Sequence, residues 1–124
     1  MSKNADLVLT AVTELFVNRD TSAVERYWSD SYLQHNPGIP DGRADLAGLV
    51  AELPDDFRYE PGLVVAEGDY VMIHGRYTGW GPEPIVGVDI FRIADGKLAE
   101  HWDVLQEEVP AAATKSGRSM FTGS

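Results

Sequence analysis

The chain has 124 residues, 44% of them apolar and 24% charged, a foldable composition with room for one domain and little space for a second. Twenty acidic residues against ten basic ones leave a formal charge of -10, which repels phosphate backbones and anionic lipid, so neither nucleic acid nor a membrane is an expected partner. The absence of cysteine excludes disulfides, thiolate metal sites and a cysteine nucleophile.

No apolar run approaches the roughly 18 residues of a membrane span. The opening MSKNADLVLTAV has neither the basic region nor the long apolar stretch of a signal peptide, so the expected location is cytoplasmic. Residues 5–18 read as a helix: Leu7, Val8, Ala11, Val12, Leu15 and Phe16 form one apolar stripe, with Asn4 available as its cap. Asp20 or Thr21 can cap a second, shorter helix, TSAVERYW, whose Val24, Tyr27 and Trp28 share a face. Residues 31–36, SYLQHN, read as extended and end at Pro37-Gly38. A third helix is predicted over 43–53, with Leu46, Leu49, Val50 and Leu53 at helical spacing and Pro54 as its stop.

After Asp56 the composition turns to Val, Ile, Tyr, Phe and Trp. Strands are predicted over 57–67, 70–80, 85–93 and 97–107. They are separated by Glu67-Gly68-Asp69, by Gly81-Pro82-Glu83-Pro84, and by Asp95-Gly96, a hairpin signature. Helices first and an antiparallel meander after is an α+β pattern: three N-terminal helices packed on one face of a sheet. The expected domain is 1–109. The tail 110–124 is small and polar, loosely ordered apart from a Met120-Phe121 pair able to anchor it.

Asp89 is the candidate for chemistry. It lies mid-strand in IVGVDIFRI, and strand alternation puts it on the face of Phe91 and Ile93, which need burial; the plain alternative is a carboxylate on a face turned to water. A carboxyl in an apolar setting holds its proton more tightly and can serve as a donor near neutral pH. A two-residue Asp95-Gly96 loop pairs Ala94 with Lys97 and Ile93 with Leu98, so that either Trp102 or, with a changed register, His101 looks toward Asp89. His74 alternates with Val71, Ile73 and Tyr77 and could line a mixed polar and aromatic cavity; a hydrogen-bonded structural histidine is the plain alternative. His35, His74 and His101 fall on separate strands with no short helical spacing, so no metal site is expected. Neither a G-x-G-x-x-G turn, a P-loop nor a G-x-S-x-G elbow occurs, and no cofactor is expected.

The segments YLQHNPG (32–38) and VDIFRIADGKLAEHWDVLQ (88–106), with SMF (119–121), resemble the SnoaL-like branch, which includes polyketide cyclases, of the nuclear transport factor two-like superfamily. The likeness runs over residues 5–107. The IFR-turn-GK strand pair is also similar to ketosteroid isomerase. The resemblance implies a cone-shaped, strongly curved antiparallel sheet closed as a barrel, and a homodimer formed through the outer sheet face. In ketosteroid isomerase an Asp at the position of Asp89 stays protonated and donates to a developing oxyanion. The isomerase's basic Asp corresponds to Asn36, and the cyclases' acid/base Asp corresponds to Gln106, neither of which abstracts a proton; Asp103 is close by, on the opposite parity. The resulting expectation is a cofactor-free acid/base enzyme acting beside a carbonyl of a small apolar ligand, as an aldol-type cyclase or isomerase. Asp89 would be the oxyanion donor and His35 or His74 the base. Tyr32, Asn36, Trp80, Phe91, His101 and Trp102 would form the pocket. The alternative is a non-catalytic ligand-binding or dimerisation module of the same fold.

Overall fold

The computed structural model describes residues 2–123. α1 (Lys3–Val12) passes into one π-helical turn, Thr13–Val17, and is followed by α2 (Ala23–Tyr27), β1 (Trp28–Gln34), α3 (Arg43–Ala51), β2 (Arg58–Glu67), β3 (Tyr70–Thr78), β4 (Ile85–Ala94) and β5 (Lys97–Glu107). The helical stripe of α1 buries Val8, Ala11 and Val12, and the π turn continues it with Leu15. Its cap is Ser2, whose hydroxyl accepts from the Ala5 amide at 3.1 Å. Asn4 lies inside the helix and donates to the Gly68 carbonyl instead. Before α2, the Asp20 carboxylate accepts from the Ser22 amide and hydroxyl. Trp28, expected on that helix, opens β1 with extended backbone.

The strands order as β1-β5-β4-β3-β2. The last four pair antiparallel as a meander, but β1 joins β5 in parallel. No tight turn connects β1 to its neighbour, so nothing forces that pair to be antiparallel. The edges β1 and β2 do not pair. The result is a curled, unclosed mixed sheet rather than the expected antiparallel barrel. The helices cover its concave face, and the core lies between them: Val8, Leu15, Trp28, Val50, Val71, Ile73 and Leu98 are fully enclosed. Arg19, at φ 60, binds α3 to the helical layer through the carbonyls of Val50, Leu53 and Pro54, at 2.8 to 3.1 Å. Its cation sits where the helix leaves acceptors open and its dipole is negative.

The β4–β5 register decides the site. Asp95 and Gly96 both adopt positive φ, 52° and 72°, as a two-residue hairpin requires. Ala94 pairs with Lys97 and Ile93 with Leu98, as expected, but a bulge then displaces the ladder by one residue at Ala99. Beyond it Arg92 faces Glu100, Phe91 faces His101, Ile90 faces Trp102, and Asp89 faces Asp103. Trp102 therefore lies on the outer surface with Ile90. His101 is on the inner face, diagonal to Asp89.

The tail from Pro110 makes a 3-10 turn, Ala111–Ala113, and returns across the outer face of the sheet. Phe121 is buried there, its ring 5.8 Å from that of His74 and 4.8 Å beneath the Arg76 guanidinium. No helix of the described residues is long and apolar enough to cross a membrane.

Candidate active site

Helices and sheet enclose a cavity whose walls are almost wholly apolar. Val12, Phe16, Trp28, Leu46, Phe57 and Phe91 line its interior, while half-buried Ile39, Leu49, Leu53 and Trp80 bring it to the surface. The free volume is about 30 Å³, room for roughly two or three waters. One wall is polar. Asp89 comes from β4, His101 and Asp103 from β5, and Tyr32 and Gln34 from β1. Alternation explains the set: residues two apart share a face, and the parallel pairing of Gln34 with His101 carries the β1 residues to the carboxylates.

Asp89 and His101 are 3% and 6% exposed. His101 Nε2 lies 2.8 Å from Asp89 Oδ1, and the Tyr77 hydroxyl donates to Asp89 Oδ2 at 2.5 Å. On the other side of the ring, Nδ1 lies 2.6 Å from Gln34 Oε1. That oxygen also accepts from the Asn36 backbone amide at 3.0 Å. A backbone N–H can only donate, so it identifies the Gln34 atom as oxygen and requires His101 Nδ1 to carry a proton. One further proton occupies the Nε2···Oδ1 contact, on the imidazole or on the carboxyl. Both oxygens of Asp89 and both nitrogens of His101 are thus engaged by protein groups.

Asp103 differs. Its Oδ2 accepts from Asn36 Nδ2 at 2.7 Å and lies 3.8 Å from His101 Nε2, but no protein group among the described residues donates to Oδ1. Its side chain is 6% exposed and lines the cavity. A buried carboxylate with one open oxygen has the geometry to accept a proton. Asp89, His101 and Asp103 together also have the donor types of a metal site, although the 2.8 Å contact between Asp89 and His101 would have to part to admit an ion.

The phenols report the same environment. Burial, and after it the negative charge of Asp89, pushes Tyr59 and Tyr77 well above the usual phenol range. Burial does the same to Tyr32, partly offset by the Trp28 indole.

Of the residues expected in the site, Asp89, His101, Tyr32, Trp80 and Phe91 line the cavity, and Asn36 reaches it through Asp103. His35, His74 and Trp102 do not. His35 follows Gln34 and points outward. Its side chain is 46% exposed, held at 2.7 Å by Glu100 and stacked on Trp102 at 4.9 Å. His74 lies on the outer face against Phe121. Neither histidine can serve as base in this cavity. Gln34, Tyr59 and Tyr77 also line the cavity, unexpected from the sequence, and so does Asp103, expected on the opposite parity from Gln106. Asp103 needed the bulge at Ala99 to be counted, and Gln34 is two residues from Tyr32 on the same face.

A sequence profile of the SnoaL-like domain matches residues 9–101, three quarters of the chain. The chain belongs to the SnoaL-like domain family. No curated protein matches it in sequence. Among solved structures, TsrD from Streptomyces laurentii superposes with a TM-score of 0.72 at 19% identity, covering 86% of this chain and 91% of that one. A candidate polyketide cyclase from Acidithiobacillus ferrooxidans gives 0.71 at 19%, covering 86% and 90%. A candidate ketosteroid isomerase from Kribbella flavida gives 0.71 at 19%, covering 86% and 80%. At such identities these likenesses establish the fold, which is that of nuclear transport factor two-like proteins.

The three buried phenols allow a direct test. Each has a folded pKa above the unfolded value of about 10, so their contribution to stability is complete below that pH and is lost as pH rises above it. Spectrophotometric titration should show Tyr32, Tyr59 and Tyr77 ionising only as the protein unfolds, with stability falling above pH ~10. Titration of every phenol near pH 10 with the circular dichroism of the fold intact would contradict the enclosed site.

Proposed function

We propose that this SnoaL-like protein is a cofactor-free acid/base enzyme that acts beside a carbonyl of a small, mostly apolar ligand, as an isomerase or aldol-type cyclase. The observation that supports the reading is the open Oδ1 of Asp103 in an apolar cavity, backed by the buried Asp89–His101 pair. Asp103 takes the proton from the carbon next to the carbonyl, leaving an enolate. The proton then returns to the same or another carbon, or the enolate carbon attacks a second carbonyl and the new alkoxide is protonated. Electrons and protons balance within the ligand and Asp103. Asp89 and His101 do not touch the ligand in this scheme; they are positioning residues that orient each other and hold the polar wall. The roles first expected of Asp89 as oxyanion donor and of His35 or His74 as base are therefore reassigned.

The second reading is a ligand-binding or dimerisation module without chemistry. It is favoured by the small cavity and by the full engagement of Asp89 and His101. A ligand of ordinary size must spread the half-buried entrance formed by Ile39, Leu49, Leu53 and Trp80.

The two readings separate on proton exchange. Loss of α-deuterium from deuterated cyclopentanone and 1-indanone, followed by NMR, should be faster with the protein than in buffer. Asp103→Asn should lower that rate by about 10²-fold or more, while His35→Ala and His74→Ala stay within about twofold, as expected for groups outside the cavity. Exchange no faster than buffer, or undiminished in Asp103→Asn, sinks the enzymatic reading.

The partner proposed with this function is a second copy of the chain. The outer sheet face exposes Val65, Tyr70, Met72 and Val104 around half-buried Ile90 and Trp102, a contiguous apolar surface of the kind that marks an interface. Light scattering at micromolar concentration should give a dimer, and Val104→Asp a monomer. A wild-type monomer overturns the assignment. The strong negative charge leaves nucleic acid an unsuitable partner, and a cytoplasmic location fits the same reading.

A further inference from the structure

Trp28, which lines the cavity, carries a polar atom that the fold leaves unused. Trp28 is 1% exposed, and its indole Nε1–H is buried without a hydrogen-bond partner. An indole N–H is donor only, and leaving such a group unpaired inside a protein is costly enough to be rare. It acts on the Tyr32 phenol, offsetting part of the effect of burial on that group, without meeting hydrogen-bond geometry. The Tyr32 oxygen accepts from Gln34 Nε2 at 3.3 Å, and its own proton has no acceptor among the described residues. Both side chains come from β1 and line the cavity that Asp103 also lines. Two residues with unclaimed donors therefore line the same cavity as Asp103, whose Oδ1 is unclaimed among the described residues.

We propose that Trp28 Nε1–H and Tyr32 O–H together form the seat for the ligand's reacting oxygen, and that this seat selects uncharged carbonyl compounds over carboxylates and phosphates. The charge argument is independent of the donors. The cavity lining includes Asp89 and Asp103 but no lysine or arginine, and its one imidazole, His101, is already matched to Asp89, so an anionic ligand would enter against the Asp103 carboxyl with no free cation among the described residues to meet it. A neutral carbonyl accepts both hydrogen bonds without that penalty. As its α-proton leaves, the growing charge on oxygen strengthens both bonds at the moment they are needed, which is how preorganised donors lower a barrier. The proposal rests on the carbonyl reading above and adds the oxygen site and the charge class of the ligand.

The test uses the intact protein and three probes of similar size: cyclopentanone, methylenecyclopentane and cyclopentanecarboxylate. Trp28→Phe identifies the Trp28 indole signal in the proton–nitrogen spectrum. Cyclopentanone should move that signal downfield and saturably. Methylenecyclopentane, which lacks an acceptor, should perturb ring signals of the cavity but not the indole, and the carboxylate should not enter. Replacing Trp28 by benzothienylalanine keeps the shape and removes the N–H; it should weaken cyclopentanone binding about threefold to tenfold, the size of one hydrogen bond, with little change for the alkene. An indole that ignores the ketone while other cavity signals respond, an equal response to ketone and alkene, tight entry of the carboxylate, or no response to any probe each overturns the proposal. Its failure is distinguishable from that of the base: a silent indole with Asp103-dependent exchange removes the oxygen seat alone, and a responsive indole without exchange removes the base alone.

Discussion

The contact between His101 and Asp89 is the interaction on which the polar wall depends. A carboxyl and an imidazole are almost fully enclosed there among aromatic and aliphatic side chains. Either group alone would carry a desolvation cost of several kcal/mol, which is tolerable only when the partner and the remaining hydrogen bonds are all in place. They are: Tyr77 holds the far oxygen of Asp89, and Gln34 holds the far nitrogen of His101. Three strands and one edge of the sheet are thereby tied through a single side-chain cluster. β3 contributes the phenol, β4 the carboxyl, β5 the imidazole and β1 the amide. Because such a network is favourable only when complete, it discriminates against sheet registers that would leave any member unpaired.

That commitment also sorts the site into groups that hold and groups that remain open. The holding groups each have a partner within the protein. What remains unclaimed among the described residues is one carboxylate oxygen of Asp103 and the donors of Trp28 and Tyr32, all three residues lining the same cavity. In the proposed reading, the acceptor takes the proton and the donors hold the enolate oxygen. The rest of the polar wall sets the position of Asp103: Asn36 fixes Oδ2 of Asp103 and through its backbone amide fixes Gln34.

Much of this architecture was legible in the residues themselves. The helical stripe of Val8, Ala11, Val12 and Leu15, the turn at Asp95-Gly96 and the inward face of Asp89 all follow from local periodicity, and the structure has each of them. Two features were not legible, for one physical reason: pairing between strands is a tertiary choice that local pattern does not encode. The parallel seat of β1 beside β5 joins residues more than 60 apart in the chain, with no turn to announce it. The bulge at Ala99 inserts a small, buried, unremarkable residue into a strand whose hairpin turn already looked complete. That one residue decides that Asp103, not Trp102, stands opposite Asp89. The histidines show the limit of composition as a guide. Of three residues with the same chemistry, alternation and register send His35 and His74 outward and His101 alone inward.

The orientation of His101 is the most direct test of the cluster. Long-range proton–nitrogen NMR of the imidazole at neutral pH reads which ring nitrogens carry protons. The account predicts a proton on Nδ1, directed at Gln34, and a strongly hydrogen-bonded Nε2 that changes its shift in Asp89→Asn. A ring protonated on Nε2 alone, or one whose spectrum is indifferent to Asp89, would contradict the clamp from β1 and with it the assignment of Asp103 as the open group of the site.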